Sequence, residues 1–225
     1  MILRYLDNCT FFIKQSKTSF IIKLERLKEI WLFNCIEGCQ FDILNKSFKI
    51  NNLSKIIITN LHINNISGLL GLLSSLNLMG RVKSLHIYGP VNLKYYLDLG
   101  KKYSHTNFSY TVYLHVLTTG LVISSYSCRV YAFLHKNQYE FIVSQSEQYG
   151  TFCLNKALSN YLVPGPLYGK LKKCSSFLFP DGVALDGDRL TSANAVGQQF
   201  SFFISCYYKR KLLENASFSR TLLLC

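Results

Sequence analysis

The chain has 225 residues, with 49% hydrophobic and 16% charged side chains, and 25 Lys and Arg against 12 Asp and Glu give it a formal charge of +13. That length suits one large domain or two small ones with a core that needs no disulfide staples, and the composition excludes a disordered tail or a long coiled coil. The basic excess points to a polyanion, either nucleic acid or an anionic membrane surface, and charge alone does not separate the two.

Short apolar strands alternate with helical stretches, the pattern of an α/β domain. Ser19–Leu24 and Ile30–Asn34 read as strands around a charged turn holding Glu25, Arg26 and Lys28, and Gly38 opens a loop or helix. Lys55–Thr59 is β-branched, which predicts a strand buried on both faces. Asn60–Ser67 reads as a polar loop, Gly68–Met79 as a Leu-rich helix, and Gly80 as its C-terminal cap. Val82–Tyr88 reads as the next strand, and Val91–Leu99 as a helix ending before Gly100. Tyr110–Leu117 and Leu121–Leu134 alternate as strands do, about a Thr-Thr-Gly turn. From Lys136 the texture turns polar through Leu158, and residues 145–192 read as an excursion from a single domain spanning 1–225. Gln199–Cys206 returns to strand, and Lys209–Ala216 reads as a short basic helix.

The eight cysteines are scattered, and only Cys35 and Cys39 lie close, as C-x3-C. With no second pair to complete a zinc knuckle, buried reduced thiols are expected. Ile56–Gly80 and Tyr103–Cys128 lack charged residues and are long enough to cross a bilayer. Their load of Asn, His, Ser and Thr argues against that, so no membrane span is expected, and no signal peptide is visible. The abundance of Ile, Leu, Lys, Asn, Phe and Tyr fits AT-rich codons, hence a plastid genome.

A strand, a polar loop holding His62 and a helix together form a geometry that suits a metal site, because the strand fixes the loop and the helix N-terminus favours anions. The segment TNLHINNISGLLGLLSSLNLMGRVKSLHIYGP, from Thr59 to Pro90, resembles ribonuclease Z, the tRNA 3′-end endonuclease of the metallo-β-lactamase superfamily. There the loop reads T-H-x-H-G-D-H and is followed by a Gly-Leu-rich helix, Gly-Arg, a strand and Tyr-Gly-Pro. WLFNCIEGCQ, from Trp31 to Gln40, is similar to that family's W-L-F-D-C-G-E-G-T-Q. VPGPLYGKLKK, from Val163 to Lys173, resembles the Gly-Pro motif on the family's tRNA-gripping arm, with Pro180-Asp181-Gly182 following in place.

The resemblance implies a metallo-β-lactamase-like αββα sandwich with a protruding tRNA-binding arm, precursor tRNA as partner, two zinc ions per subunit and a homodimer. It implies substrate contacts at Gly165, Pro166, Gly169, Lys170, Lys172 and Lys173. The AT-rich residue usage points to the plastid stroma as location, with a bacterial cytoplasm as the alternative. Departures from the pattern change the expected chemistry. The family's loop ligands fall on Asn60, His62, Asn64 and Asn65, with Asn64 in the place of the catalytic aspartate. His135 matches a family histidine, Ser205-Cys206-Tyr207 stands where G-D-T is usual, and Tyr5-Leu6-Asp7-Asn8 lacks the glycine of F-L-G-T. The C-terminal half is expected to be incomplete, because Cys225 comes before the family's H-E-A-T-F and last histidine. Neutral amides replace imidazole and carboxylate poorly at zinc, so a two-metal centre is not expected. A residual set of His62, His135 and Cys206 leaves one zinc or none, so the resemblance implies a ribonuclease Z whose removal of the 3′ trailer from precursor tRNA is impaired by an eroded metal site, or alternatively a catalytically inactive tRNA-binding remnant of that family.

Overall fold

A computed structural model describes residues 2–5, 19–24, 27–125, 128–147, 150–179, 182, 184–192, 197–203, 210, 214 and 221–224. Cys206, Leu6 to Asn8 and most of Lys209–Ala216 lie outside the described residues. Contacts divide the chain into one unit of Met1–Val143 with Gln199–Cys225, and a second of Ser144–Gln198.

The first unit begins with strands β1 (Ile2–Tyr5), β2 (Phe20–Leu24) and β3 (Glu29–Phe33), which pair antiparallel. Then β4 (Leu53–Ile57), β5 (Leu85–Gly89) and β6 (Val112–Val116) add parallel strands, giving a six-stranded sheet in sequence order. Parallel neighbours need crossovers. Helix α1 (Cys39–Asn45) links β3 to β4, α2 (Ile63–Ile66) and α3 (Leu69–Leu78) link β4 to β5, and α4 (Leu93–Ser104) links β5 to β6. A second sheet holds β7 (Gly120–Ser125), β8 (Cys128–His135), β9 (Gln138–Gln145), β12 (Gln198–Phe203) and β13 (Thr221–Leu224), in the order β13-β12-β9-β8-β7.

Side-chain alternation places one core on each face of the first sheet. Ile21, Leu32, Ile56, Ile58 and Ile87 pack against Ile43, Leu69, Leu72, Leu76, Leu93 and Leu97 of the helices. Phe20, Trp31, Phe33 and Ile57 pack instead against Val130, Phe141, Phe200 and Phe202 of the second sheet. The Phe20 and Phe33 rings stack at 4.5 Å, and Phe202 and Phe141 close on them at 4.9 Å and 5.5 Å.

Helix α3 ends as expected: Gly80, at φ 68°, donates to Asn77 O at 3.0 Å and Arg81 to Leu76 O at 3.2 Å, a Schellman cap. Buried Arg81 sets the start of β5 by donating to the carbonyls of Lys83, Ser84 and Asn51. Three expectations need correction. Helix α4 runs through Gly100 to Ser104, because that glycine is a packing contact: a Cβ there would lie 2.5 Å from Leu70 Cδ1. Polar Gln138–Gln145 is a core strand, since Phe141 and Val143 point inward while Gln138 and Ser144 keep partial exposure. The expected loop after β4 contains α2. Among the described residues no helix is long and apolar enough to cross a membrane.

His86 on β5 and His115 on β6 share a hydrogen bond between Nδ1 and Nε2 of 3.0 Å. Burial pushes the His86 pKa below its ordinary 6.5, helped by His115 and Lys55 and opposed by Glu29. Folded His86 therefore binds fewer protons than the unfolded chain does in the window below 6.5. The associated stability is present above pH 6.5 and is lost as pH falls through the lowered value. Thermal melts of the parent should weaken across that window, and His86→Phe should weaken less; identical pH profiles would sink this assignment.

Candidate functional site

Ligands of parallel α/β sheets gather beyond the carboxyl ends of the strands. Here those ends carry the chain after β3 and the loop after β4, and hydrogen bonds tie them together. Asn34, fully buried at φ 53°, donates its amide to Ile57 O at 2.8 Å. Its Oδ1 accepts from Thr59 N at 2.9 Å and from Thr59 Oγ1 at 3.0 Å. Cys35 N donates to Asn65 O at 2.7 Å, and Gly68 N to Cys35 O at 2.9 Å. Gly68 is required by closeness, because a Cβ there would meet Ile36 O at 2.0 Å. Cys35 and Cys39, both buried, lie with their Sγ atoms 3.1 Å apart, and burial pushes the Cys35 thiol well up.

The loop's own polar groups largely satisfy one another. Asn60 Oδ1 accepts from His62 N at 3.1 Å and from Asn65 Nδ2 at 2.5 Å, and the same Asn65 amide reaches Thr59 Oγ1 at 3.3 Å. His62 is the N-cap of α2, its Nδ1 accepting from Asn64 N at 3.3 Å. That bond assigns the proton of the neutral ring to Nε2. His62 and Asn64 are exposed, and Asn65 is buried. Tyr139 N donates to Thr59 O at 3.1 Å, which brings the β8–β9 hairpin, with His135 at the end of β8, alongside the loop. Of the expected metal set, His62 and His135 are thus carried on neighbouring elements, while Cys206 lies outside the described residues.

The donors on this loop do not fit a pair of zinc ions. Zinc takes thiolate, imidazole or carboxylate, whereas Asn60 and Asn65 offer amides already bonded to each other. A zinc-bound neutral imidazole normally carries its proton on the nitrogen away from the metal. On His62, Nδ1 accepts instead, so ligation through Nε2 would sacrifice the helix cap. Among the described residues no group of three or more His, Cys, Asp or Glu side chains could hold a metal ion. Asn34 was not among the site residues expected from sequence. Its tolerance of positive φ and its place in the WLFNC segment were the available signals.

The second unit contains α5 (Leu154–Ser159), α6 (Leu167–Leu171), a two-stranded ribbon of β10 (Phe177–Leu178) and β11 (Ala184–Leu185), and α7 (Gly187–Leu190). Leu171, Leu185 and Leu190 form its buried centre, with Phe152, Leu162, Tyr168 and Phe179 around them. Gly187 lets α7 approach α6, since a Cβ there would lie 2.6 Å from Leu171 O. Gly165 and Pro166 are exposed directly before α6, and Gly169 and Lys170 are exposed on it. Lys173 N donates to Lys170 O at 3.0 Å, and Lys172 and Lys173 follow the helix directly, both exposed. Beside the Gly-Pro segment lies a cleft of about 600 Å³ lined by Tyr161, Leu162, Val163, Tyr168, Phe179 and Leu185, among others. Tyr161 holds φ 56° and is 95% exposed.

Charge is unevenly divided. Residues 144–198 hold Lys156, Lys170, Lys172, Lys173 and Arg189 against Glu147, Asp181, Asp186 and Asp188, five against four. The first unit therefore carries +12 of the net +13.

No family model matches the chain. An uncharacterized protein, ycf56 of Porphyra purpurea, is 39% identical over 206 residues, covering 90% of this chain and 78% of that protein. The ribonuclease Z of a Nostoc species is 33% identical over 202 residues, covering 88% of this chain and 63% of that protein. The chain thus spans a little under two thirds of the ribonuclease Z it matches. The crystal structure of human tRNase Z, short form, aligns with a TM-score of 0.53 at 25% identity, over 64% of this chain and 63% of that one. The two-sheet architecture, shared with that tRNase Z, is the metallo-β-lactamase fold expected from the sequence.

Proposed function

The chain belongs with the ycf56 proteins of Porphyra purpurea and Pyropia yezoensis, and from its likeness to ribonuclease Z over most of its length we propose that it binds precursor tRNA with its metal-dependent cleavage of the 3′ trailer impaired or lost. The observation that carries this reading is the loop after β4, where amides of Asn60 and Asn65 hold each other in the place of metal donors and Asn64 replaces a carboxylate. Two-metal hydrolysis needs ions that hold both the attacking and the departing oxygen, and these residues supply no such pair. The residual set of His62, His135 and Cys206 is the one that would hold a single zinc.

The second unit is read as the tRNA arm, with Gly165, Pro166, Gly169, Lys170, Lys172 and Lys173 on the RNA. An exposed glycine-proline turn brings peptide backbone close to phosphate, and the lysines neutralise it. A homodimer and a plastid stroma location complete the proposal, the latter supported by the red-algal relatives.

Filter binding and cleavage of one precursor tRNA separate the alternatives. The parent should bind it at low salt and release little or no trailer with zinc or manganese added. Replacing Lys170, Lys172 and Lys173 together by Ala should lower the slope of log affinity against log salt by about 2, from about 0.7 to 0.9 per neutralised phosphate. An unchanged slope removes the arm from the binding reading, and trailer release at a rate typical of an active enzyme removes the impairment.

A further inference from the structure

We propose that the exposed face of α4, with the turn that follows it, is a second binding site for the sugar–phosphate backbone of RNA, apart from the Gly-Pro segment and the loop after β4. The inference rests on the RNA-binding reading above and adds a surface to it.

Helix α4 is anchored by Leu93 and Leu97 in the core and by Tyr96, whose hydroxyl donates to Ile66 O at 3.3 Å. Its opposite side presents Lys94, Tyr95, Lys102 and Tyr103, all exposed. Lys94 and Lys101 are seven residues apart and so share one helix face. Lys101 Nζ sits 5.4 Å from the Phe108 ring and Lys102 Nζ 5.8 Å from the Tyr103 ring, contacts that position the ammonium groups without neutralising them.

His105 takes φ 49° and turns the chain back at the helix end. Thr106 and Asn107 thereby line a cleft of about 450 Å³ together with Asp98, Lys101, Lys102 and His105. Its two ammonium groups outnumber the single carboxylate, and the Thr and Asn side chains add neutral donors.

Lysines in a last turn also complement the carbonyl end of a helix. That explains Lys101 and Lys102 but not Lys94, which stands in the first turn where a cation is disfavoured. Nor does it explain Tyr95 and Tyr103, rings that remain 66% and 74% exposed and can pack on sugar or base. The location of the charge agrees, because the excess lies in this unit and not in residues 144–198. An anionic lipid surface fits less well, since α4 buries Leu93 and Leu97 in the core and leaves only Leu99 of its leucines exposed, among lysines, Asp98 and hydroxyl-bearing rings.

The test uses the full chain and a precursor tRNA, titrated by filter binding across salt. Four proteins are compared: the parent, the arm variant with Lys170, Lys172 and Lys173 changed to Ala, a variant with Lys94, Lys101 and Lys102 changed to Ala, and one with those last three lysines changed to Arg. Circular dichroism melts confirm that each is folded. The Ala variant should lose about 2 from the salt slope, and the Arg variant should keep it. An unchanged slope in the Ala variant, while the arm variant still loses its share, overturns this site and leaves the function reading intact. A parent that fails to bind the RNA overturns that reading and the site with it. Lysine-dependent binding to phosphatidylglycerol vesicles with RNA affinity unchanged reassigns the face to lipid and overturns the proposal.

Discussion

Asn34→Ala should destabilise the protein by about 3 kcal/mol and unfasten the loop that follows β4. The side chain lies in the interior, and its Oδ1 is the acceptor for both the amide and the hydroxyl of Thr59. Removing it strands two donors away from water, and a buried unsatisfied polar group costs about 1–3 kcal/mol. The backbone adds to this. At φ 53° an alanine carries a left-handed penalty of about 1–2 kcal/mol that asparagine offsets by local hydrogen bonding. Two further variants divide the sum. Asn34→Gly relieves the backbone but not the donors, and Asn34→Asp keeps an acceptor for both. Urea unfolding should therefore rank them parent, Asp, Gly, Ala, in falling stability. Equal midpoints for parent and Ala would show that Asn34 does not hold the loop.

The sandwich was legible wherever one residue type dominates a face. Ile56, Ile57 and Ile58 announce a strand buried on both sides, and they divide between the two cores. The Leu-rich run before Gly80 announces α3 and its cap. Legibility failed where one residue serves a distant contact. Gly100 reads as a stop signal locally, yet its missing side chain makes room for Leu70 thirty residues earlier in the chain. Gln138–Gln145 reads as polar, because Glu140 and the glutamines mask the two-residue period of Tyr139, Phe141 and Val143.

The site divides in the same way. The residue types on the loop, amides in the place of metal donors, could be read through likeness to ribonuclease Z. The hydrogen bonds among Asn60, His62 and Asn65 could not, since they depend on α2 forming and on His62 capping it. In the second unit the Gly-Pro segment was plain. The cluster joining Leu171 to Leu185 and Leu190 was hidden by its separation along the chain.

The sharpest test of the donor argument is to restore the donors. Asn64→Asp should be tolerated, because residue 64 is exposed in the first turn of α2, where a carboxylate is favoured by the helix dipole. Asn60→His removes the acceptor used by His62 N and Asn65 Nδ2 and so destabilises the apo protein, but it adds an imidazole next to His62. Carboxylate and imidazole bind zinc at about 2.0–2.2 Å, and zinc bound only to the folded state stabilises it by about 2.7 kcal/mol at a hundredfold excess over Kd. The double variant should therefore keep zinc through dialysis and melt higher with zinc than without, while the parent should show neither effect. Elemental analysis and paired melts read both quantities. If the parent retains two zinc ions per chain and loses them on His62→Ala, the amide loop is no barrier to the metal pair, and the reading of an impaired site falls. If the double variant fails to gain zinc although its circular dichroism is native, the loss of donors at these two positions is not what excludes the ion.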